Sequence, residues 1–100
     1  MTLLAEDGDK AVGFLVGLIQ KPAPGAARST VMAQLNNIFV REESRGQKIG
    51  EQLADEFKRL CRAEQVEQLN VTVNSQNESA IAFYNRIGFA PSRLLMSRKT

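Results

Sequence analysis

The stretch SRGQKIG, Ser44–Gly50, stands between a strand-like run that ends at Val40 and a helical pattern that starts near Ile49. A basic, glycine-bearing turn that opens a helix is suited to holding phosphate. The first N–H groups of a helix have no intrahelical partners and lie at the positive end of its dipole. Gly46 and Gly50 allow backbone to approach a ligand, and Arg45 adds charge. Lys48 stands where another glycine would be natural. A residue at a helix start is expected to take ordinary helical dihedrals, which lysine adopts freely. With the Lys48 side chain turned outward its amide still faces the phosphate and its charge helps; turned inward it blocks the site, and the binding arrangement is the expected one. Taken alone, the same seven residues are better read as a solvated turn, because Arg and Gly before a helix are commonplace. Their surroundings decide.

Upstream, Val31, Ala33 and Leu35 alternate with Met32 and Gln34 as in a strand, and apolar positions resume at Ile38 and Val40. Odd positions become even across Asn36–Asn37. A period of two slips in that way when one residue is inserted as a β-bulge, or when one strand face changes its neighbours, and the pattern fits both equally. Downstream, Ile49, Leu53, Phe57, Leu60 and Cys61 form one helical stripe, with charged residues on the other faces. A helix over 49–63 follows, and Cys61 is read as core on its apolar side. Leu69, Val71 and Val73 alternate with polar residues as a second strand, and strand, helix, strand at this length predicts a parallel pair. Ala80, Phe83, Tyr84 and Ile87 make a second helical stripe, begun by Asn77 and stopped by Gly88.

Near the start, Asp7-Gly8-Asp9-Lys10 separates Leu3–Ala5 from the apolar run Ala11–Ile19 and predicts a hairpin. Residues 20–29 hold two prolines and Gly25 and read as a loop long enough to move or to touch a substrate. Leu94–Lys99 reads as a last short strand. The 100 residues make one domain, 1–100, with 13 basic against 11 acidic side chains. That balance gives no reason to expect nucleic acid, which would ask for a clustered basic stripe. One cysteine and no histidine exclude a disulfide framework, the common zinc sites and histidine-based triads. The longest apolar run, nine residues, falls far short of a membrane span. The start lacks the basic and apolar regions of a signal peptide, and a cytoplasmic protein is the expectation.

The context that decides the opening turn is NESAIAFYNRIGF, Asn77–Phe89. Together with Val40–Gly50 it closely resembles the GNAT superfamily of acetyl-CoA-dependent N-acetyltransferases. That family joins a strand, an R/Q-x-x-G-x-G/A turn and a helix to a second strand and an N-x-x-A-x-x-F-Y-x-x-x-G-F helix. Asn77, Ala80, Phe83, Tyr84, Gly88 and Phe89 all match the second motif. Arg45, Gly46, Ile49 and Gly50 match the first, with Lys48 replacing one motif glycine.

The resemblance implies an α+β fold of three layers, the acyl-CoA N-acyltransferase type. Its sheet would be mixed, mostly antiparallel, of about five strands with a central parallel pair, and two main helices would flank it. It implies acetyl-CoA as cosubstrate and an amine as acceptor, with no metal. The pyrophosphate would rest on the amides of Gly46, Gln47, Lys48, Ile49, Gly50 and Glu51, with Arg45 beside them. The pantetheine arm would pair with Ile38, Phe39 and Val40, Asn77 would hydrogen-bond that arm, and Tyr84 would be the general acid. Many family members carry an acid on the bulged strand, where this chain has Asn36 and Asn37. The family's first strand and first two helices have no counterpart before Met1. Both departures leave open a non-catalytic module that binds CoA or a protein partner. The apolar hairpin left without helices over it predicts a homodimer whose partner covers that surface.

Overall fold

The computed structural model describes residues 1–25 and 30–100; residues 26–29 of the expected 20–29 loop lie outside the described part. Strand β1 (Thr2–Asp7) and strand β2 (Lys10–Gln20) form the expected hairpin across Gly8, whose φ of 64° suits a tight turn. Strand β3 (Val31–Val40) pairs antiparallel with β2, and strand β4 (Val66–Val71) pairs parallel with β3. Helix α1 (Ile49–Ala63) makes the crossover between β3 and β4, and helix α2 (Glu78–Arg86) follows. Sheet order is β1-β2-β3-β4.

The core forms because α1 lays one face on the sheet. Leu53, Phe57 and Cys61 are buried there against Leu15, Ala33 and Leu35. Phe57 is fully enclosed and sits over Gly17, where an added Cβ would lie 2.4 Å from the ring. Cys61 is core, as its place on the stripe predicts; burial pushes its thiol up from the ordinary range, which makes it a poor nucleophile. The opposite face of the hairpin is bare. Leu4 pairs with Phe14, and Leu4 and Leu18 remain 61% and 46% exposed. Phe14 stacks on Phe39 across the same surface, with ring centroids 5.6 Å apart.

The phase slip in β3 is a bulge. Val16 faces Asn37 and Gly17 faces Leu35, which leaves Asn36 over. Beyond the bulge β3 and β4 part: β4 pairs only with Val31–Leu35, so Ile38–Val40 have no strand on that side among the described residues. The last expected strand does not form. Residues 90–100 carry no regular structure and are exposed throughout, with Leu94, Leu95 and Met96 at 79–88%. The apolar run Leu94–Met96 reads locally as a strand, but a strand needs a paired edge, so the described sheet has four strands, close to the five or so expected.

Candidate functional site

An open cleft of about 1030 Å³ lies between the unpaired end of β3, the turn that enters α1 and the outer face of α2. Ile38, Phe39, Val40, Arg45, Gly46, Lys48, Ile49, Gly50, Glu51, Asn77 and Tyr84 all line it. Gln47, expected beside them, is not among the lining residues. The cleft also takes in Ser79, Ala80, Phe83 and Arg86. Ala80 and Phe83 were legible as motif positions. Ser79 and Arg86 follow from which side of α2 turns to the cleft, and the apolar stripe alone does not show that.

A short 3-10 turn, Glu42–Ser44, leads from β3 toward α1 and buries Ser44. Arg45 folds back, its Nε donating to the Val40 carbonyl oxygen at 3.1 Å, so its cation is tied to the end of the open strand. Gly46 then takes a φ of 85° and Lys48 a φ of 62° with ψ 24°. The expectation of helical dihedrals at Lys48 is therefore wrong. Lys48 is the residue before the first helical one, where the chain must still swing round into the helix, and it does so in the left-handed region. That conformation costs a non-glycine residue about 1–2 kcal/mol, which explains the glycine of the motif. Left-handed residues on either side of Gln47 form the kind of turn that gathers successive N–H groups on one side into an anion-binding concavity. No side chain caps α1, so the amides of its first turn keep their donors free of a side-chain acceptor.

Helix α2 is fixed at both ends. Asn77 Oδ1 accepts from the Ala80 amide and from Ser79 Oγ, each at 3.2 Å, so Asn77 is a true N-cap whose amide nitrogen remains a donor. At the other end Gly88 takes a φ of 107°. The Phe89 amide reaches the Tyr84 carbonyl at 2.9 Å and the Gly88 amide reaches the Asn85 carbonyl at 3.2 Å, a complete Schellman closure. It presses Phe89 edge-on against Tyr84, with centroids 5.6 Å apart, and Phe83 meets Tyr84 from the other side at 5.3 Å. Tyr84 is half-buried by these rings, and that burial pushes its phenol above the ordinary range, so it stays protonated. Phe83 also closes on α1. A Cβ on Gly50 would lie 3.3 Å from its ring, so the second motif glycine serves the meeting of the two helices.

Asn36 and Asn37 are exposed at the bulge and neither can accept a proton at neutral pH. Glu42 and Glu43 are the next carboxylates in sequence, and Glu43 pairs with Arg41 at 3.4 Å and Lys10 at 3.5 Å. Its own backbone amide, with those cations behind it, holds its carboxyl below the ordinary range, which weakens it as a base. Among the described residues no helix is long and apolar enough to cross a membrane.

A mixed sheet that opens past a bulge, with an uncapped helix start at the opening and a tyrosine-bearing helix beside it, places the chain in the class of acyl-CoA N-acyltransferase-like folds. Residues 1–89 match the model of the acetyltransferase (GNAT) family, and the chain belongs to that family. Over 59 residues it is 34% identical to a putative [ribosomal protein bS18]-alanine N-acetyltransferase of Bacillus subtilis (strain 168), covering 59% of this chain and 39% of the relative. An integron cassette protein from the mobile metagenome of V. cholerae superposes with a TM-score of 0.82 at 27% identity, over 99% of this chain and 59% of that one. An aminoglycoside N-acetyltransferase in complex with CoA shares the fold with a TM-score of 0.80 at 20% identity, over 99% of this chain and 75% of that one. The chain thus spans about two-fifths of the curated relative it matches.

Proposed function

We propose that this chain transfers an acetyl group from acetyl-CoA to a primary amine by direct attack, with Tyr84 as the general acid. The observation that carries this reading is the meeting, in one cleft, of an open strand edge, an uncapped helix start and a protonated tyrosine. The arrangement fits an extended acyl-CoA: Ile38–Val40 offer backbone to the amide-bearing arm, and Gly46–Glu51 offer N–H groups to the pyrophosphate. Arg45 and Lys48 supply two positive charges beside them, and the Asn77 amide nitrogen donates to the arm. The neutral amine attacks the thioester carbon, a C–N bond forms and the C–S bond breaks. Tyr84 gives its proton to the departing thiolate and the surplus amine proton leaves to water. Burial holds the Tyr84 phenol above its ordinary range, so it keeps its proton until the basic thiolate departs.

A second reading keeps the cofactor and drops the chemistry: a CoA-binding or interaction module. Asn36 and Asn37 at the bulge favour it, because they leave the amine side without an acid. One experiment separates the two. Acetyl-CoA is incubated with a panel of amines while thiol release and melting temperature are followed for the wild type and Tyr84→Phe. The transferase reading expects turnover that falls roughly a hundredfold in the variant, with the acetyl-CoA thermal shift retained. Equal turnover in both proteins removes Tyr84 as the acid. A thermal shift without turnover on any amine establishes the binding module.

The bare face of the hairpin supports a homodimer, its interface built on Leu4, Phe14 and Leu18, and the reading places the protein in the cytoplasm. Light scattering during size-exclusion chromatography is expected to give twice the chain mass of 11.1 kDa, and Leu18→Glu to return it to one. A wild-type monomer at micromolar concentration rules the dimer out.

A further inference from the structure

Arg86 joins the last turn of α2 to the first turn of α1. Its Nε donates to Glu51 Oε1 at 2.9 Å, and its guanidinium lies 5.4 Å from the centroid of the Phe83 ring. Glu51 is the third residue of α1 and lines the cleft. A carboxylate at that position is drawn toward the free N–H groups of its own helix start. Those are the groups that the cofactor reading assigns to pyrophosphate. Left to itself, Glu51 would compete for them and would set a negative charge against a negative ligand. Arg86 opposes both effects. It cancels the charge, and it holds the carboxylate toward α2. With Glu51 and Arg86 neutralising each other, Arg45 and Lys48 leave the cleft positive at its phosphate end.

We propose that Arg86 is a positioning residue that acts through Glu51 to keep the entrance of α1 open to phosphate, and so makes the site select acyl donors that carry a pyrophosphate over those that lack one. The inference rests on the cofactor reading above. It differs from a direct contact between Arg86 and the ligand, because the harm done by losing Arg86 lies in the carboxylate it leaves behind. Removing that carboxylate should undo the harm.

The test is calorimetric titration of the whole chain with CoA and with S-acetylpantetheine, which carries the arm but no phosphate. Arg86→Ala is expected to weaken CoA about fivefold and to leave S-acetylpantetheine unchanged. The double variant Arg86→Ala/Glu51→Gln is expected to return CoA to within about twofold of the wild type. Arg86→Gln repeats the measurement if the alanine variant melts early. Unchanged CoA affinity in Arg86→Ala overturns the proposal. So does an equal loss with S-acetylpantetheine, which would mean that α2 has shifted as a whole. A double variant as weak as Arg86→Ala overturns it in favour of direct contact. A wild type that binds no CoA fails the cofactor reading itself, an outcome distinct from the other three.

Discussion

The two ends of α1 carry the same backbone irregularity and answer it in opposite ways. Lys48 before the helix has a φ of 62° and Gln65 after it a φ of 60°, the two left-handed non-glycine residues among those described. At the far end the bend closes hydrogen bonds within the chain: the Glu64 amide reaches the Leu60 carbonyl at 3.1 Å and the Gln65 amide reaches the Arg62 carbonyl at 3.0 Å. At the near end nothing from a side chain answers the helix amides. Helix α2 shows that the chain can cap a helix start when it needs to, since Asn77 does so. A conformational cost met by hydrogen bonds belongs to folding. The same cost at an uncapped start that faces a cleft is one a ligand can repay.

The strongest way to break this comparison is Gly46→Val. Nothing lies within 4 Å of the added Cβ, so the substitution tests dihedral strain at φ 85° and not crowding. A β-branched residue does not hold that conformation. The turn should reorganise, and CoA affinity is expected to fall at least about tenfold while far-UV circular dichroism stays native. Unchanged affinity would place the cofactor away from the entrance of α1. Next in size is Asn77→Ala, which should destabilise the fold by about 1 kcal/mol, because the Ala80 amide loses its acceptor. Urea denaturation reads that loss. A stability change near zero would mean that α2 start is satisfied by solvent, and the contrast between the capped and uncapped starts would lose its force.

Much of this arrangement was legible in the residues. The phase change in β3 was visible, but it fitted a change of neighbours as well as a bulge; the register decides for the bulge, with Asn36 left over. The limits of α1 followed from its apolar stripe. The family motif made the cleft legible: eleven of the twelve residues expected around the cofactor line it, all but Gln47. The sign of φ at Lys48 was hidden, because side-chain polarity carries no record of dihedral handedness and lysine is at home in both helix and loop. Glu67 and Gln68 gave no warning that β4 begins at Val66, since the ladder shifts register there, Val66 facing Val31 and Gln68 facing Met32, and the extra Glu67 breaks the alternation. Leu94–Lys99 failed in the opposite sense, with a strand pattern and no strand. Pairing depends on what lies alongside, which a local pattern does not contain. Arg86 escaped notice for a similar reason: its partner Glu51 is 35 residues away and on another helix.

The smallest effect is the most discriminating. Gly88, at the end of α2, occupies the same position in its helix closure that Gln65 occupies after α1, and glycine there takes positive φ freely. Gln65→Gly should therefore relieve about 1–2 kcal/mol of strain and return part of it as unfolded-chain entropy. A net gain of about 0.5–1 kcal/mol remains, a rise in Tm of ~3–6 °C. Lys48→Gly should relieve the same strain and stabilise by a similar amount. The two variants should part company only when CoA is added. Gln65→Gly lies at the far end of the helix and should leave CoA affinity unchanged. Lys48→Gly keeps the turn but removes a positive charge from the cleft, and should weaken CoA about threefold, with the difference shrinking as salt is raised. Thermal melts with and without CoA, at two ionic strengths, give all four quantities. If both glycines stabilise and neither alters affinity, Lys48 contributes only its backbone to the site. If Lys48→Gly tightens CoA, its side chain obstructs the phosphate and the motif glycine is the better residue on both counts.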